Sequence, residues 1–177
     1  MFTFEVKLDD NDYFEFSKSL NLNSAVGKKA LLTYRLIVPI ISVLTIFVFW
    51  IAGAKTGLLI SEVIGLAILS VVFIILAKPF YIKSLRKQLD ILKKNGKLPY
   101  NKEATLLFSD DYCTEITLER ETKIKYSVVE RVVETEKAIY VYMSAVSAAI
   151  IPLKCFSDDA QKLQFICFIQ SKINANR

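Results

Sequence analysis

The sequence contains no histidine, and its 177 residues include only three cysteines. Without imidazole, the commonest general base and the Ser-His and Cys-His nucleophile pairs are unavailable. Cys113, Cys155 and Cys167 share no short metal-type spacing, so a zinc site would have to recruit distant thiols and carboxylates. Cys155 and Cys167 fall among apolar residues, which reads as reduced core packing. The five glycines, Gly27, Gly53, Gly57, Gly65 and Gly96, are too scattered to cradle a phosphate. Carboxylates such as Glu119, Glu121, Glu130, Glu134 and Glu136 sit in turns or alternate with apolar residues, as a solvated face does. This inventory points away from an enzyme: no catalytic, cofactor-binding or metal-binding residue can be nominated.

Charge is also scarce where apolar residues are dense. LIVPIISVLTIFVFWIAGA (36–54) carries none, and LLISEVIGLAILSVVFIILA (58–77) carries only Glu62. Each run holds about 20 residues, enough as a helix to cover the roughly 30 Å hydrocarbon core of a bilayer. A buried hairpin of soluble helices fits poorly, because neither run has a polar face. Ala52-Gly53-Ala54 has the form of a signal-peptide cleavage site, but the long apolar run and the acidic residues upstream favour a retained span. Glu62 lies near the outer end of its span, within reach of Lys55 or headgroup water, and no deeper partner for a relay is present.

Only Lys55-Thr56-Gly57 separates the two runs, so both ends of the chain belong on one side. Which side is read from Lys and Arg. The segment 78–97 (KPFYIKSLRKQLDILKKNGK) holds seven basic residues and one acid, more positive charge than the net +5 of the whole chain. Lys28, Lys29 and Arg35 precede the first run, and Lys55 alone marks the hairpin tip. The bias of basic residues toward the cytoplasm therefore places both termini inside. Tyr34, Arg35 and Tyr81 at the inner ends, and Trp50 near the outer end, read as membrane-interface anchors.

Around the hairpin, Phe2, Phe4, Val6 and Leu8 alternate with polar residues, a strand with one buried face. Asp9–Asp12 cap a helix near Tyr13–Leu20, and NLNSAVGKK has linker character. Segment 78–97 is an amphipathic helix, bent from the span at Pro79 and closed by Gly96. Its stripe of Leu85, Leu89 and Leu92 fits either the membrane surface or the domain that follows. From Tyr100 the period drops to two: ATLLF, YCTEITL, TKIKYS, VVERVVET, AIYVYMS and SAAII are short strands parted by turn residues. Asp158 and Gln161 have capping-box spacing for a helix to about Asn174, with Leu163, Ile166, Cys167 and Ile173 as its apolar face, broadened by Phe165, Phe168 and Ile169. The expected fold is an α+β membrane protein: a two-helix transmembrane hairpin and a small, bent antiparallel β domain plugged by a C-terminal helix. Its parts are 1–35, 36–77, 78–97 and 98–177.

The segment from Ile124 to Phe156 resembles the YcxB-like family. It carries an Ile-x-aromatic-Ser strand (Ile124, Tyr126, Ser127), a Val-Val-Glu-Thr run (Val132–Thr135), the strand Ile139–Tyr142 and an Ile-Ile-Pro-x-x-x-Phe close (Ile150–Phe156). Tyr126 stands where the family pattern has Trp. The resemblance extends to the N-terminal strand, the helix start at Asp12, Tyr13 and Phe16, and the two spans. It implies a bacterial protein with a pleckstrin-homology-like C-terminal domain, and little chemistry. Two functions fit. One is an inner-membrane protein whose cytoplasmic domain binds a protein partner, with self-protection (immunity) against a membrane-active toxin as the version that family analogy offers. The other is an adaptor reading anionic lipid through Lys83, Arg86, Lys87, Lys93 and Lys94, extended by Lys123, Lys125 and Arg131. Nucleic acid is not an expected partner, since the basic cluster abuts the membrane.

Overall fold

Strand alternation near both ends of the chain is realised as one β domain. The computed structural model describes residues 1–176; Arg177 lies outside the described residues. The elements run β1 (Phe2–Lys7), α1 (Asp10–Asn23), α2 (Ala25–Ile51), α3 (Thr56–Lys94), β2 (Glu103–Phe108), β3 (Tyr112–Ile116), β4 (Glu121–Lys125), β5 (Arg131–Glu134), β6 (Ala138–Tyr142), β7 (Ala148–Pro152) and α4 (Asp159–Ala175). They form two compact units: Met1–Ser17 with the chain from Leu89 onward, and Lys18–Gln88.

In the first unit the sheets are β1-β2-β3-β4 and β5-β6-β7, both antiparallel. β1 pairs along its whole length with β2, from Phe2 opposite Phe108 to Lys7 opposite Glu103, although α1, α2 and α3 intervene in sequence. The period of two puts Phe4 and Val6 into the core and leaves Thr3, Glu5 and Lys7 in solvent. Phe4 and Val6 meet Leu106, Phe108 and Cys113 from the same sheet, and Ile139, Val141 and Ile151 from the other. Phe165 of α4 fills the centre, its ring 4.8 Å from Phe108, 5.1 Å from Phe4 and 5.4 Å from Phe2. The strands expected in TKIKYS and VVERVVET form as β4 and β5, and between them the chain makes a 3₁₀ turn at Tyr126–Val128 as it leaves one sheet for the other. Tyr126 is buried there and donates its hydroxyl to the Ser109 carbonyl at 2.7 Å.

Helix α4 begins at Asp158, whose carboxylate accepts from the Gln161 N–H at 2.7 Å; the Gln161 side chain reaches back to the Ser157 N–H. Its inward face is Phe165, Ile169 and Ile173 at i, i+4, i+8. Leu163 is 57% exposed and Cys167 is exposed, contrary to the apolar face expected from sequence. The helix is apolar on several sides, so periodicity alone could not select the one that faces the sheets. Cys113 is the core cysteine, and Cys155 is half-buried, which corrects the core placement of Cys167.

In the second unit, Ser24 caps α2 by accepting from the Gly27 N–H at 3.0 Å. A Cβ on Gly27 would stand 2.2 Å from the Asn21 carbonyl oxygen, so the expected linker is a tight corner. Helices α2 and α3 are both long and apolar enough to cross a membrane. They meet along one seam. Ser42 and Ser70 share a hydrogen bond at 3.1 Å, the Tyr34 ring lies 5.8 Å from Phe73 and 5.7 Å from Tyr81, and Ala77 is fully buried. Most other apolar side chains on both helices are exposed. Gly53 ends α2 at φ 72° and Gly96 ends α3 at φ 69°. At Gly96 the Lys97 N–H returns to Leu92 and the Gly96 N–H to Lys93, the bond pair of a Schellman close. Pro79 does not divide α3, which runs unbroken to Lys94; proline removes a single N–H donor, and the rest of the ladder holds.

Candidate functional site

The acids of the N-terminal helix do more than cap it. Asp9 and Asp12 cap each other's backbone N–H groups. Asp10 accepts from the Tyr100 hydroxyl at 2.7 Å and from Lys93. Asp12 pairs with Lys154 at 3.4 Å and Glu15 with Lys137 at 3.1 Å. Between these pairs, Tyr13 stacks on Tyr100 at 5.0 Å, and the buried Phe16 meets the Tyr140 ring edge-on at 5.2 Å. The first turns of α1 are thus bound to the outer face of the β5-β6-β7 sheet. Lys93, and then Tyr100, hold the Asp10 carboxyl below its ordinary pKa. Burial, then Asp10, pushes the Tyr100 phenol well above its own.

Beside this clamp the two sheets fail to close. β1 is laddered only to β2, and β7 only to β6. Beside the first residues of β7 lies a cleft of about 220 Å³, while β1 packs near β7 and against the turn that follows it. Its floor is apolar, with Val6, Ala104, Leu106 and Ala149; Tyr13, Phe16 and Tyr100 wall one side, and the Met143–Ser147 loop another. Polar and apolar groups share its lining about equally. Glu115 accepts from the Asn101 amide at 3.0 Å, and Arg120 stands in the β3–β4 turn.

The edge of β7 is defined by its ladder. Met143 N donates to Ser147 O and Leu153 N to Lys137 O, which fixes residues 149 and 151 as those bonded to β6. Ala148 and Ile150 therefore turn their N–H and C=O groups away from β6. These groups have no partner in the ladder, and Ile150 itself is buried.

The residues nominated from sequence fall elsewhere. Lys83, Arg86 and Lys87 are exposed on α3 within Lys18–Gln88, whereas Lys93 and Lys94 belong to the β-domain unit. Lys93 is committed to Asp10, and Arg86 also has a partner. Leu89 is buried in the β-domain unit, while Leu92 is exposed, so the leucine stripe is only partly used for packing there. Tyr34, Arg35 and Tyr81 gather within the helical unit, where Tyr81 donates to Asn21 at 2.9 Å and Arg35 Nε is enclosed with no hydrogen-bond partner. Trp50 is exposed, 6.0 Å from Phe47. Among the described residues no cluster of three metal-type ligands occurs. Sequence reasoning missed the cleft because its walls come from five separate stretches. The acids of α1 were visible, but their cationic partners lie about a hundred residues away, beyond any spacing rule.

Residues 108–169, from the end of β2 into α4, match the family model of YcxB-like proteins. No curated protein and no solved structure matches the chain.

Proposed function

Since residues 108–169 are a YcxB-like domain, we propose that this is a non-enzymatic, two-span protein of the bacterial inner membrane that binds a protein partner through the cleft. Three features support the membrane placement. The side chains along α2 and α3 are apolar and mostly exposed, and burying such surface in lipid stabilises it by about 25 cal/mol per Å². Lys28, Lys29 and Arg35 in the first turns of α2 and the basic residues late in α3 favour cytoplasmic termini. Four strands against three, closed by a C-terminal helix, also support the pleckstrin-like reading of the domain.

The single observation that carries the binding role is the cleft beside the start of β7. A photo-crosslinking residue at Val146, on its rim, is expected to trap a discrete protein adduct in living cells. The same residue at the exposed Leu163 on α4 is expected to trap none. Equal labelling from both positions, or none at Val146, would contradict the reading. Immunity to a membrane-active toxin is one form this function takes: deletion of the gene is then expected to sensitise cells to one specific toxin.

The lipid-adaptor reading is favoured by Lys83, Lys87 and Lys94, which are exposed on α3. It is weakened at Lys93, whose ammonium already faces Asp10. Replacing Lys83, Lys87 and Lys94 by Gln separates the two readings: the adaptor loses its function, and the protein-binding module keeps its crosslink at Val146.

A further inference from the structure

We infer that two copies of this chain pair antiparallel along β4, with a two-fold axis at Thr122 and with Glu121 of each copy facing Lys123 of the other. The surface is the far edge of the four-stranded sheet, and it is independent of the cleft.

β4 is the end strand of its sheet and is laddered only to β3. Which of its main-chain groups face outward follows from the turn that starts it. The Thr117 N–H donates to the Arg120 carbonyl at 2.9 Å, so Arg120, Thr122 and Ile124 are the residues bonded to β3. Glu121, Lys123 and Lys125 therefore turn their N–H and C=O groups away from the sheet. Among the described residues no hydrogen bond occupies those groups. The side chains leave the edge open as well: Glu121, Lys123 and Lys125 are exposed, and Thr122 and Ile124 are half-buried. Such an edge is a template for a further strand unless its side chains forbid one.

These side chains disfavour most neighbours and admit their own copy in one register. Two antiparallel copies related by a two-fold axis set outward-facing residues opposite each other, so the axis passes through residue 121, 122, 123 or 124. An axis at Glu121 puts that carboxylate against itself. An axis at Lys123 does the same with two ammonium groups, and an axis at Ile124 sets Lys123 opposite Lys125 twice. Like charges directly opposite are destabilising. An axis at Thr122 sets Glu121 opposite Lys123 twice, in the pairs that also exchange main-chain hydrogen bonds. It brings Thr122 against Thr122, a favourable cross-strand pair, and carries Glu119 of the turn toward Lys125.

The remaining charges do not upset this match. Lys123 lies 3.2 Å from Glu121 of its own chain, but both side chains stay largely exposed, so that contact is weak and is exchanged for the one between copies at little cost. On the opposite face Arg120 comes against Ile124 of the other copy. Glu115, the residue of β3 opposite Thr122, lies with Arg120 along the cleft, so that face is balanced within each chain. Two short strands bury little area, which makes the pair weak and exchanging, and the test traps it covalently.

The test uses the full chain in liposomes, with Cys113→Ala, Cys155→Ser and Cys167→Ser removing the natural thiols and copper phenanthroline as the oxidant. Thr122→Cys sets two thiols on the axis, at the Cα spacing of about 4.5 Å of a non-hydrogen-bonded pair, and is expected to give a disulfide-linked dimer. Lys125→Cys is more exposed, but its two copies stand six residues apart along the paired strands, roughly 20 Å, and is expected to give none. Charge is tested in the chain that carries Thr122→Cys. Glu121→Lys and Lys123→Glu each set like charges opposite and are expected to lower the dimer yield about tenfold, the loss of two exposed pairs. A mixture of these two variants, told apart by tags of different size, is expected to restore the yield as a dimer of unlike chains. Both variants have lost the pair within one chain, so restoration reports pairing between copies.

Equal dimer yields from positions 122 and 125 mark random collision and overturn the inference. A higher yield from Lys123→Cys than from Thr122→Cys marks another register and does the same, as does a mixture that yields no more than either variant alone. No dimer at position 122 also overturns it. Capture of the thiol at position 122 in cells by another protein only marks a docking edge for a partner and removes the pairing of copies.

Discussion

Phe4→Ala tests whether the N-terminal strand is a structural member of the β domain. Phe4 is 2% exposed, and its ring centroid lies 4.8 Å from Phe156, 5.1 Å from Phe165 and 6.1 Å from Phe108. Truncating a phenylalanine so enclosed costs about 3–5 kcal/mol in lost transfer energy and residual cavity. A domain of this size is stable by about 5–15 kcal/mol, so the change removes a large share. The assay is hydrogen exchange of β2 and β3 amides in nanodiscs. At about 1.4 kcal/mol per power of ten, their slowest exchange should accelerate by about two to three and a half powers of ten. Thr3→Ala on the exposed face of the same strand is the control, with an expected change within about 0.5 kcal/mol. If Phe4→Ala accelerates exchange in β2 no more than Thr3→Ala does, β1 is not part of the domain. By the same reasoning, a fragment from residue 98 onward lacks an edge strand and a core layer, and is expected not to fold alone.

Three further outcomes follow from the packing. Gly27→Ala drives a Cβ to 2.2 Å from the Asn21 carbonyl oxygen and should destabilise the α1–α2 corner by about 1–3 kcal/mol, read as a lower thermal midpoint; an unchanged midpoint would contradict the corner. Thiol labelling at pH 8 should proceed at the exposed Cys167 first and the half-buried Cys155 next. Cys113, whose thiol burial pushes up to about 12, should lag by a thousandfold or so until unfolding, and early loss of all three thiols would contradict the core. The Asp10 carboxyl is held below 3.8, chiefly by Lys93, so its contribution to docking α1 is present above that pH and is lost as pH falls through the lowered value. Proteolysis within α1 should therefore stay flat from about pH 5 upward and rise below pH 4, and Asp10→Asn should flatten that acid limb.

The N-terminal strand was legible because one buried face imposes a period of two on Phe2, Phe4, Val6 and Leu8, whereas Ala138–Tyr142, buried on both faces, was legible as an unbroken apolar run. Which strand β1 pairs with was not legible, since Phe108 lies far along the chain and alternation carries no address. The helix terminator at Gly96 follows from local chemistry and occurs at the expected residue. The inward face of α4 was misjudged because Leu163, Phe165, Ile166, Cys167, Phe168 and Ile169 are all apolar; the position of the sheets, set by contacts distant in sequence, decides among them. The cleft was invisible for a related reason. It lies beside β7, where that strand has no second ladder partner, and a gap leaves no composition of its own.

The account stands on a hairpin that crosses the bilayer while both parts of one β domain stay in the cytoplasm. Labelling of intact cells with a membrane-impermeant maleimide tests this directly, because Cys167 is exposed on the domain and Lys55 lies at the hairpin tip. Cys167 in the natural chain is expected to label only after the membrane is opened, whereas Lys55→Cys in a Cys167→Ser background labels from outside. Labelling of Cys167 in sealed cells, or protection of the new thiol at position 55, would contradict the account.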